Sequence, residues 1–203
     1  MIFDTISMKQ RAKEILKYTN PSYQAVCALP TVLFIVYWCI FIFFKPKAAP
    51  MLILIGFTLI NSLFRSSIDI YGLKLSRGEE TSISDIFAIF KEDQLTYILV
   101  SIMRAALEMV GYYGFGIGAY FMFSIFRFAV YAVKDGEKNP LAALAKSFQL
   151  AKGKSDTLLK CDITNIVDYI IFSCFGGISA FRFMPKMSLF YAELYEFLKE
   201  ENV

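Results

Sequence analysis

Polar and apolar stretches alternate along the chain with a regular beat. Three times, a charged segment containing an amphipathic run leads into two hydrophobic stretches joined by a short turn. Small-residue turns before each second stretch anchor the pattern: Leu54-Ile55-Gly56, Gly114-Phe115-Gly116-Ile117 and Gly176-Gly177-Ile178. Gly116-Ile117-Gly118-Ala119-Tyr120 lines up without a gap on Gly177-Ile178-Ser179-Ala180-Phe181, a shift of 61 positions (177 minus 116). One domain over 1–203 is expected, built from repeat units at about 1–73, 74–133 and 134–203.

The apolar stretches fall at about 25–44, 51–72, 95–111, 116–133, 157–175 and 178–198. Ala25 to Phe44 carries no charge, and its 20 residues would make a helix of about 30 Å, the thickness of a hydrocarbon core. It is too long for a signal-peptide core, and no small-residue cleavage motif or compact basic start precedes it. The expected fold is an all-α integral membrane protein with six transmembrane helices, arranged as three repeated hairpins with cytoplasmic amphipathic helices. The last stretch contains Arg182, Pro185, Lys186, Glu193 and Glu196. That polarity also describes a helix half buried in the bundle or lying at the interface, which would leave five crossings.

The polar segments carry their own helix signals. In residues 1–23, Ile6, Met8, Ala12, Ile15 and Leu16 share one helical face, with Lys9, Arg11, Lys13 and Lys17 around the other. Asn20-Pro21-Ser22 closes that segment, and Lys45-Pro46-Lys47-Ala48-Ala49-Pro50 is an outer turn. Ser82, with Asp85 three residues on, predicts a capped helix presenting Ile83, Ile86, Phe87 and Phe90. Asn139 followed by Pro140 predicts another, with Leu141, Leu144, Ala145, Phe148 and Ala151 on one side and Lys152-Gly153-Lys154 at its end.

Composition agrees with a membrane class: hydrophobic residues are 57% and charged residues 19%, with 21 Phe and 12 Tyr. The aromatic share suits lipid-facing and interfacial packing. The net charge is only +3, but its placement orients the chain. If both termini share a side, that face carries Lys9, Arg11, Lys13, Lys17, Lys74, Arg77 and Lys91. It also carries Lys134, Lys138, Lys146, Lys152, Lys154 and Lys199, against Lys45 and Lys47 opposite. The positive-inside rule then places the chain in the cell membrane with both termini cytoplasmic. The partners expected are the lipid bilayer and a membrane protein or a second copy; nucleic acid is not among them.

Little chemistry stands out. The chain has no His, which excludes His-containing zinc sites, His proton relays and Ser-His triads. Cys27, Cys39, Cys161 and Cys174 all fall in apolar stretches without a CxxC pair, as small apolar residues do. No metal or cofactor is expected. Gly111-Tyr112-Tyr113-Gly114-Phe115-Gly116-Ile117-Gly118 follows no strand and precedes no Lys-Ser/Thr, so it reads as a tight turn with close helix packing rather than a phosphate loop. Asp162 and Asp168, six apart on one helix, point different ways, against a paired-carboxylate protease.

Charges inside the apolar stretches are the best functional pointer, because each ionised residue near mid-membrane costs about 2.5–3.5 kcal/mol on insertion scales. Arg65 and Asp69 sit four apart in the second stretch, and Arg104 and Glu108 four apart in the third. In both pairs the basic residue comes first, the weaker order for a lone helix, so local stabilisation does not explain them. Arg65, Asp69 and Arg127 lie toward stretch ends and can snorkel; Arg104 is central. Asn165, the repeat equivalent of Arg104, and Asp168 lie near the centre of the fifth stretch. Arg104 is expected to face inward and meet Asp168, Asn165 or Glu108. Such a cluster is either a clamp fixing helix packing or a polar cavity for a charged ligand.

The ordered pieces Arg11-Ala12-Lys13, Leu73-Lys74-Leu75-Ser76-Arg77-Gly78-Glu79, Asp85-Ile86-Phe87 with Phe90, and Gly116-Ile117 run along the chain. Asp135 with Asn139-Pro140, Ala142 to Ser147, Lys152-Gly153-Lys154, Gly177-Ile178, Pro185 and Phe190-Tyr191 continue them. In this order and spacing the chain resembles the domain-of-unknown-function 975 family of Gram-positive integral membrane proteins. Where that family has Pro-Gly-Ile and Pro-Tyr, this chain has Phe115-Gly116-Ile117 and Pro185-Lys186. The resemblance implies a multi-spanning bacterial membrane protein and no particular reaction. The expected role is non-enzymatic: an accessory or immunity-type module acting with a membrane partner or membrane-active peptide. The alternative is a small transporter or channel for a lipid, peptide or ion using a polar midplane site.

Overall fold

The computed structural model describes residues 4–19, 23–24, 27, 29–44, 50–90, 93–115, 124–165, 167–168 and 177–201, and every regular element among them is helical. In chain order these are α1 (Thr5–Tyr18), α2 (Leu29–Phe44), α3 (Pro50–Ser76), a 3₁₀ helix (Ile83–Phe90), α4 (Gln94–Phe115), α5 (Ala129–Lys134), α6 (Pro140–Ala151), α7 (Ser155–Thr164) and α8 (Gly177–Glu201). The turns expected at Asn20-Pro21-Ser22 and Lys45 to Ala49, the second half of the glycine-rich segment, and Cys174 lie outside the described residues.

Among the described residues no helix is long and apolar enough to cross a membrane. Helix α2 is described over 16 residues, all of them uncharged. The longer helices α3, α4 and α8 each carry charges within their length: Arg65, Asp69 and Lys74 in α3, Arg104 and Glu108 in α4, and Lys186, Glu193 and Glu196 among those in α8.

Helix α3 is the hub and packs against α1, α2, α4, α5, α8 and the 3₁₀ helix. Its closest partner is α8, whose Leu189, Phe190, Ala192, Leu194 and Leu198 are fully buried. The stretch expected to be the weakest is therefore the central packing element. It stays helical through Pro185, which is buried in its interior. Gly72 explains the close approach: a Cβ there would lie 2.2 Å from Ser188 Oγ and 3.1 Å from the Ser188 carbonyl carbon. The Ser188 hydroxyl donates to the Ile68 carbonyl at 2.8 Å across the same seam.

Helix α1 begins where the Asp4 carboxylate accepts the Ile6 N–H at 2.9 Å, and it lays Ala12, Met8, Ile15 and Leu16 against the core shared with α8. Ile6, expected on that face, is exposed. The α3–α4 seam holds a hydroxyl chain: Ser62 donates to the Ser101 carbonyl at 2.9 Å, and Ser101 donates to Ser66 Oγ at 2.7 Å. Small residues with interhelical hydrogen bonds let such backbones approach.

Four expectations need correction. The fourth stretch is interrupted: 124–126 is helical, Arg127 and Phe128 form a turn, and α5 begins at Ala129. The fifth is interrupted as well, because α7 stops at Thr164 and Asn165 forms a turn. The segment after Ser82 is 3₁₀ rather than α, although Asp85 Oδ2 does take the Ser82 N–H at 2.8 Å; in it Ile89 is buried, while Phe87 and Phe90 are exposed. In α6 the Asn139 cap forms as expected, with Oδ1 accepting the Leu141 N–H at 3.0 Å. The buried residues of that helix are Ala143, Leu144, Ser147 and Ala151, whereas Leu141, Ala145 and Phe148 face outward. Small residues permit close approach to the preceding segment, and Ser147 Oγ donates to the Ile125 carbonyl at 2.6 Å.

Helices α3 and α5 end in the same way. Gly78 (φ +71°) and Gly136 (φ +97°) take the left-handed conformation that favours glycine. After α3, the Gly78 and Glu79 N–H groups donate back to the Leu75 and Lys74 carbonyls; after α5, Gly136 and Glu137 donate to Val133 and Ala132. Both are Schellman caps, and they turn the chain at the same, heavily charged end of the bundle.

Candidate functional site

Five elements meet around a cavity of about 220 Å³. Helix α3 supplies Arg65, Ile68 and Asp69, α4 supplies Arg104, and the turn before α5 supplies Arg127. Helix α5 contributes Tyr131, and α8 closes the opposite wall with Phe183, Met184, Met187 and Ser188, together with Tyr191. Four of the seven residues singled out from sequence thus share one chamber.

Arg104 is inward-facing, as expected, with 3% of its surface exposed. Its carboxylate partner is Asp69 on the neighbouring helix, at 3.2 Å, rather than a residue of the fifth stretch. The spacing of Arg65 and Asp69 places both toward the chamber because residues four apart share a helix face. The side chain of Glu108 lies outside the described residues. A guanidinium stays charged at all relevant pH, so its burial requires compensation. Asp69 supplies part of it while remaining about a fifth exposed.

Arg127 is compensated differently. Its guanidinium carbon lies 3.5 Å above the Tyr191 ring centre, a cation–π contact, and its Nη1 lies 3.6 Å from Asp162 Oδ1. Asp162 also accepts hydrogen bonds from the Tyr191 hydroxyl and, at 3.3 Å, from Ser124. The turn at Arg127–Phe128 and the end of α7 at Thr164 flank this cluster, so both helix interruptions fall where the buried charges sit. Sequence reading set Asp162 aside. A carboxylate within an apolar stretch was the signal that marked it, the same signal used for Asp168.

Asn165 and Asp168 lie outside the chamber. Asn165 is fully buried; its amide donates to the Cys161 carbonyl at 2.9 Å, and among the described residues no donor reaches its Oδ1. Asp168 is clasped by two ammonium groups, Lys9 of α1 at 2.7 Å and Lys186 of α8 at 2.6 Å. The expected meeting of Arg104 with Asn165 or Asp168 is thus replaced by Arg104–Asp69, because α3 stands beside α4 and brings its own carboxylate to the guanidinium.

A second charged cluster sits at the capped end. Arg77 Nη2 donates to Asp135 at 2.7 Å, and its Nε donates to Glu196 at 2.8 Å. Asp135 further accepts from Tyr195 at 2.8 Å and from Lys199. Burial pushes the Asp135 carboxyl up, but the hydrogen bonds from Lys199, Arg77 and Tyr195 outweigh it and hold it below the usual carboxylate range. Burial likewise pulls the Arg77 guanidinium down, and its bonds to Asp135 and Glu196 more than reverse this.

Compared with protein-family models, with curated proteins and with solved structures, the chain matches none.

Proposed function

We propose that this chain is a multi-pass membrane protein without catalytic activity that binds an anionic ligand in the arginine-lined cavity, as a small transporter or channel does. The cavity carries the reading: three guanidiniums from different elements face it against one lining carboxylate. Guanidiniums lining a low-dielectric chamber can take an anion as a further partner beside Asp69 and Asp162. The two interrupted helices beside it add support, since discontinuous helices at depth recur at transporter sites.

Membrane embedding is supported by the outer surface. Val32, Ile35, Val36, Ile40 and Ile42 of α2 are each 41–58% exposed, on a helix without a charge. Leu95, Val110, Leu141, Phe148, Ile163 and Val167 are also exposed, and large exposed apolar surfaces mark membrane or protein contacts. The charge asymmetry agrees with this. A second reading, an accessory or immunity-type module, is favoured by the pairing of Arg104 with Asp69 and of Arg127 with Asp162, as a packing clamp would have.

The test has two parts. Expressed protein should stay in the membrane pellet after alkaline carbonate washing; release into the supernatant removes the membrane reading. In detergent, an anion that occupies the cavity should raise the melting temperature, and Arg104→Gln should abolish that rise. Equal rises in wild type and variant, or none from any anion tried, favour the clamp.

A further inference from the structure

We infer that α6 lies in the plane of the membrane surface and seats its outer face on anionic lipid head groups. The inference rests on the membrane reading above and not on the cavity. Its first support is the way α6 is turned. Ala143, Ser147 and Ala151, four apart, point into the protein together with Leu144. Leu141, Ala145 and Phe148 share the outer side, where Leu141 is 65% and Phe148 47% exposed. A helix bordering water buries its large apolar residues and shows its small or polar ones. Here Leu141 and Phe148 are shown and two alanines and a serine are buried, so the medium along that outer line is apolar. The apolar surface also continues beyond α6. Phe148 and Leu159 of α7 line one cleft of about 370 Å³, and Ile163, one turn further along α7, is exposed.

Charge selects the lipid. Residues 137–164 contain five lysines and three carboxylates. Lys146 is paired with Glu137, Lys154 with Glu201 of α8, and Asp162 is committed to Arg127. Lys138, Lys152 and Lys160 are exposed, and among the described residues no carboxylate pairs with them; the remaining acid is Asp156. With every pair counted, three lysines stand against one carboxylate. Two of the three bracket the helix: Lys138 precedes the Asn139 cap, and Lys152 follows Ala151 and lines the cleft beside Phe148. An apolar line held between cations suits the boundary of head groups and acyl chains in an anionic leaflet, where each lysine gains a counter-charge. Zwitterionic lipid would cover Leu141 and Phe148 and leave the lysines without one. A second copy of the chain, docked face to face, would set lysine against lysine.

The experiment reconstitutes the full-length protein, with Phe148→Trp on a Trp38→Phe background, into nanodiscs of phosphatidylcholine and phosphatidylglycerol in equal parts. Tryptophan emission is read with one or the other lipid carrying bromine high on its acyl chains. Brominated phosphatidylglycerol should quench about two- to fivefold more strongly than brominated phosphatidylcholine, and the excess should shrink in about 1 M salt. Lys138→Gln with Lys152→Gln should abolish the excess while leaving the quenching by phosphatidylcholine. Leu141→Trp takes the place of Phe148→Trp if that variant does not fold. Equal quenching by both lipids, unmoved by the lysine variants, overturns the anionic surface and keeps the membrane reading. Quenching by neither lipid overturns the docking of α6: a tryptophan then open to aqueous acrylamide marks water on that face, and one closed to it marks a second copy. Protein released by carbonate washing fails the membrane reading itself.

Discussion

The molecule contains two arginine–carboxylate clusters built to opposite designs. At the capped end, Arg77 and Asp135 sit 2.7 Å apart, with 24% and 17% of their side chains exposed. In the cavity, Arg104–Asp69 and Arg127–Asp162 are looser, at 3.2 and 3.6 Å, yet both arginine side chains are only 4% exposed. Geometry alone would rank the outer network as the stronger. Environment reverses the ranking, because a pair near water gains little whereas a buried charge that loses its partner cannot be solvated. Short, wet pairs tune where the loops sit. Long, dry pairs commit the interior to holding charge.

The sharpest way to break this comparison is Asp162→Leu, which removes the partner of Arg127, Tyr191 and Ser124 together. It should cost about 3–5 kcal/mol, read by thermal or denaturant unfolding in detergent. Adding Arg127→Met should recover most of the loss; no recovery would mean the pair is not what holds the cluster. Next in size is Gly72→Ala at the α3–α8 seam, expected to cost about 1–3 kcal/mol by overpacking. Ser188→Gly should return only part of it, because the Ser188 backbone remains 3.1 Å from the new Cβ.

Asn139→Ala deletes the α6 cap and should cost about 1 kcal/mol, a yardstick for a purely local effect at the charged end. Arg77→Ala is expected to be smallest, about 0–1 kcal/mol, and to shrink with added salt; a loss matching Asp162→Leu would erase the distinction between the two clusters. The outer network also has a pH signature. The folded Asp135 carboxyl titrates below its unfolded counterpart, so its contribution is present above the unfolded value and is lost as pH falls through the folded one. The stability gap between wild type and Asp135→Asn should be flat from about pH 8 to 5 and close below about pH 4.

Helix positions were legible wherever a residue type settles the backbone. Asn139-Pro140 starts α6, and Ser82 engages Asp85. Sides of helices were harder. The pattern put Leu141, Leu144, Ala145, Phe148 and Ala151 on one side of α6, but packing splits them, burying Leu144 and Ala151 with Ala143 and Ser147 and leaving Leu141, Ala145 and Phe148 outside. The apolar-minus-polar contrast assumes water outside, and this surface does not follow it. Charges in apolar stretches led to Arg65, Asp69, Arg104 and Arg127 and to the cavity they line. Their partners were not legible, because a spacing of four specifies a shared helix face and says nothing of which neighbouring helix carries the counter-charge. The serine chain between α3 and α4 passed unnoticed for the same reason: Ser62 and Ser66 mark one face, and only the fold supplies Ser101.

The clasp of Asp168 by Lys9 and Lys186 bears on the order in which the protein is made. Lys9 also donates to the Thr164 carbonyl, 155 residues along the chain, at 2.8 Å. Helix α1 therefore has partners that emerge from the ribosome long after it does. Contacts of such separation form late, so the cover that α8 gives to the apolar face of α1 is completed only after α8 arrives. A nascent chain halted before residue 177 would lack that part of the cover.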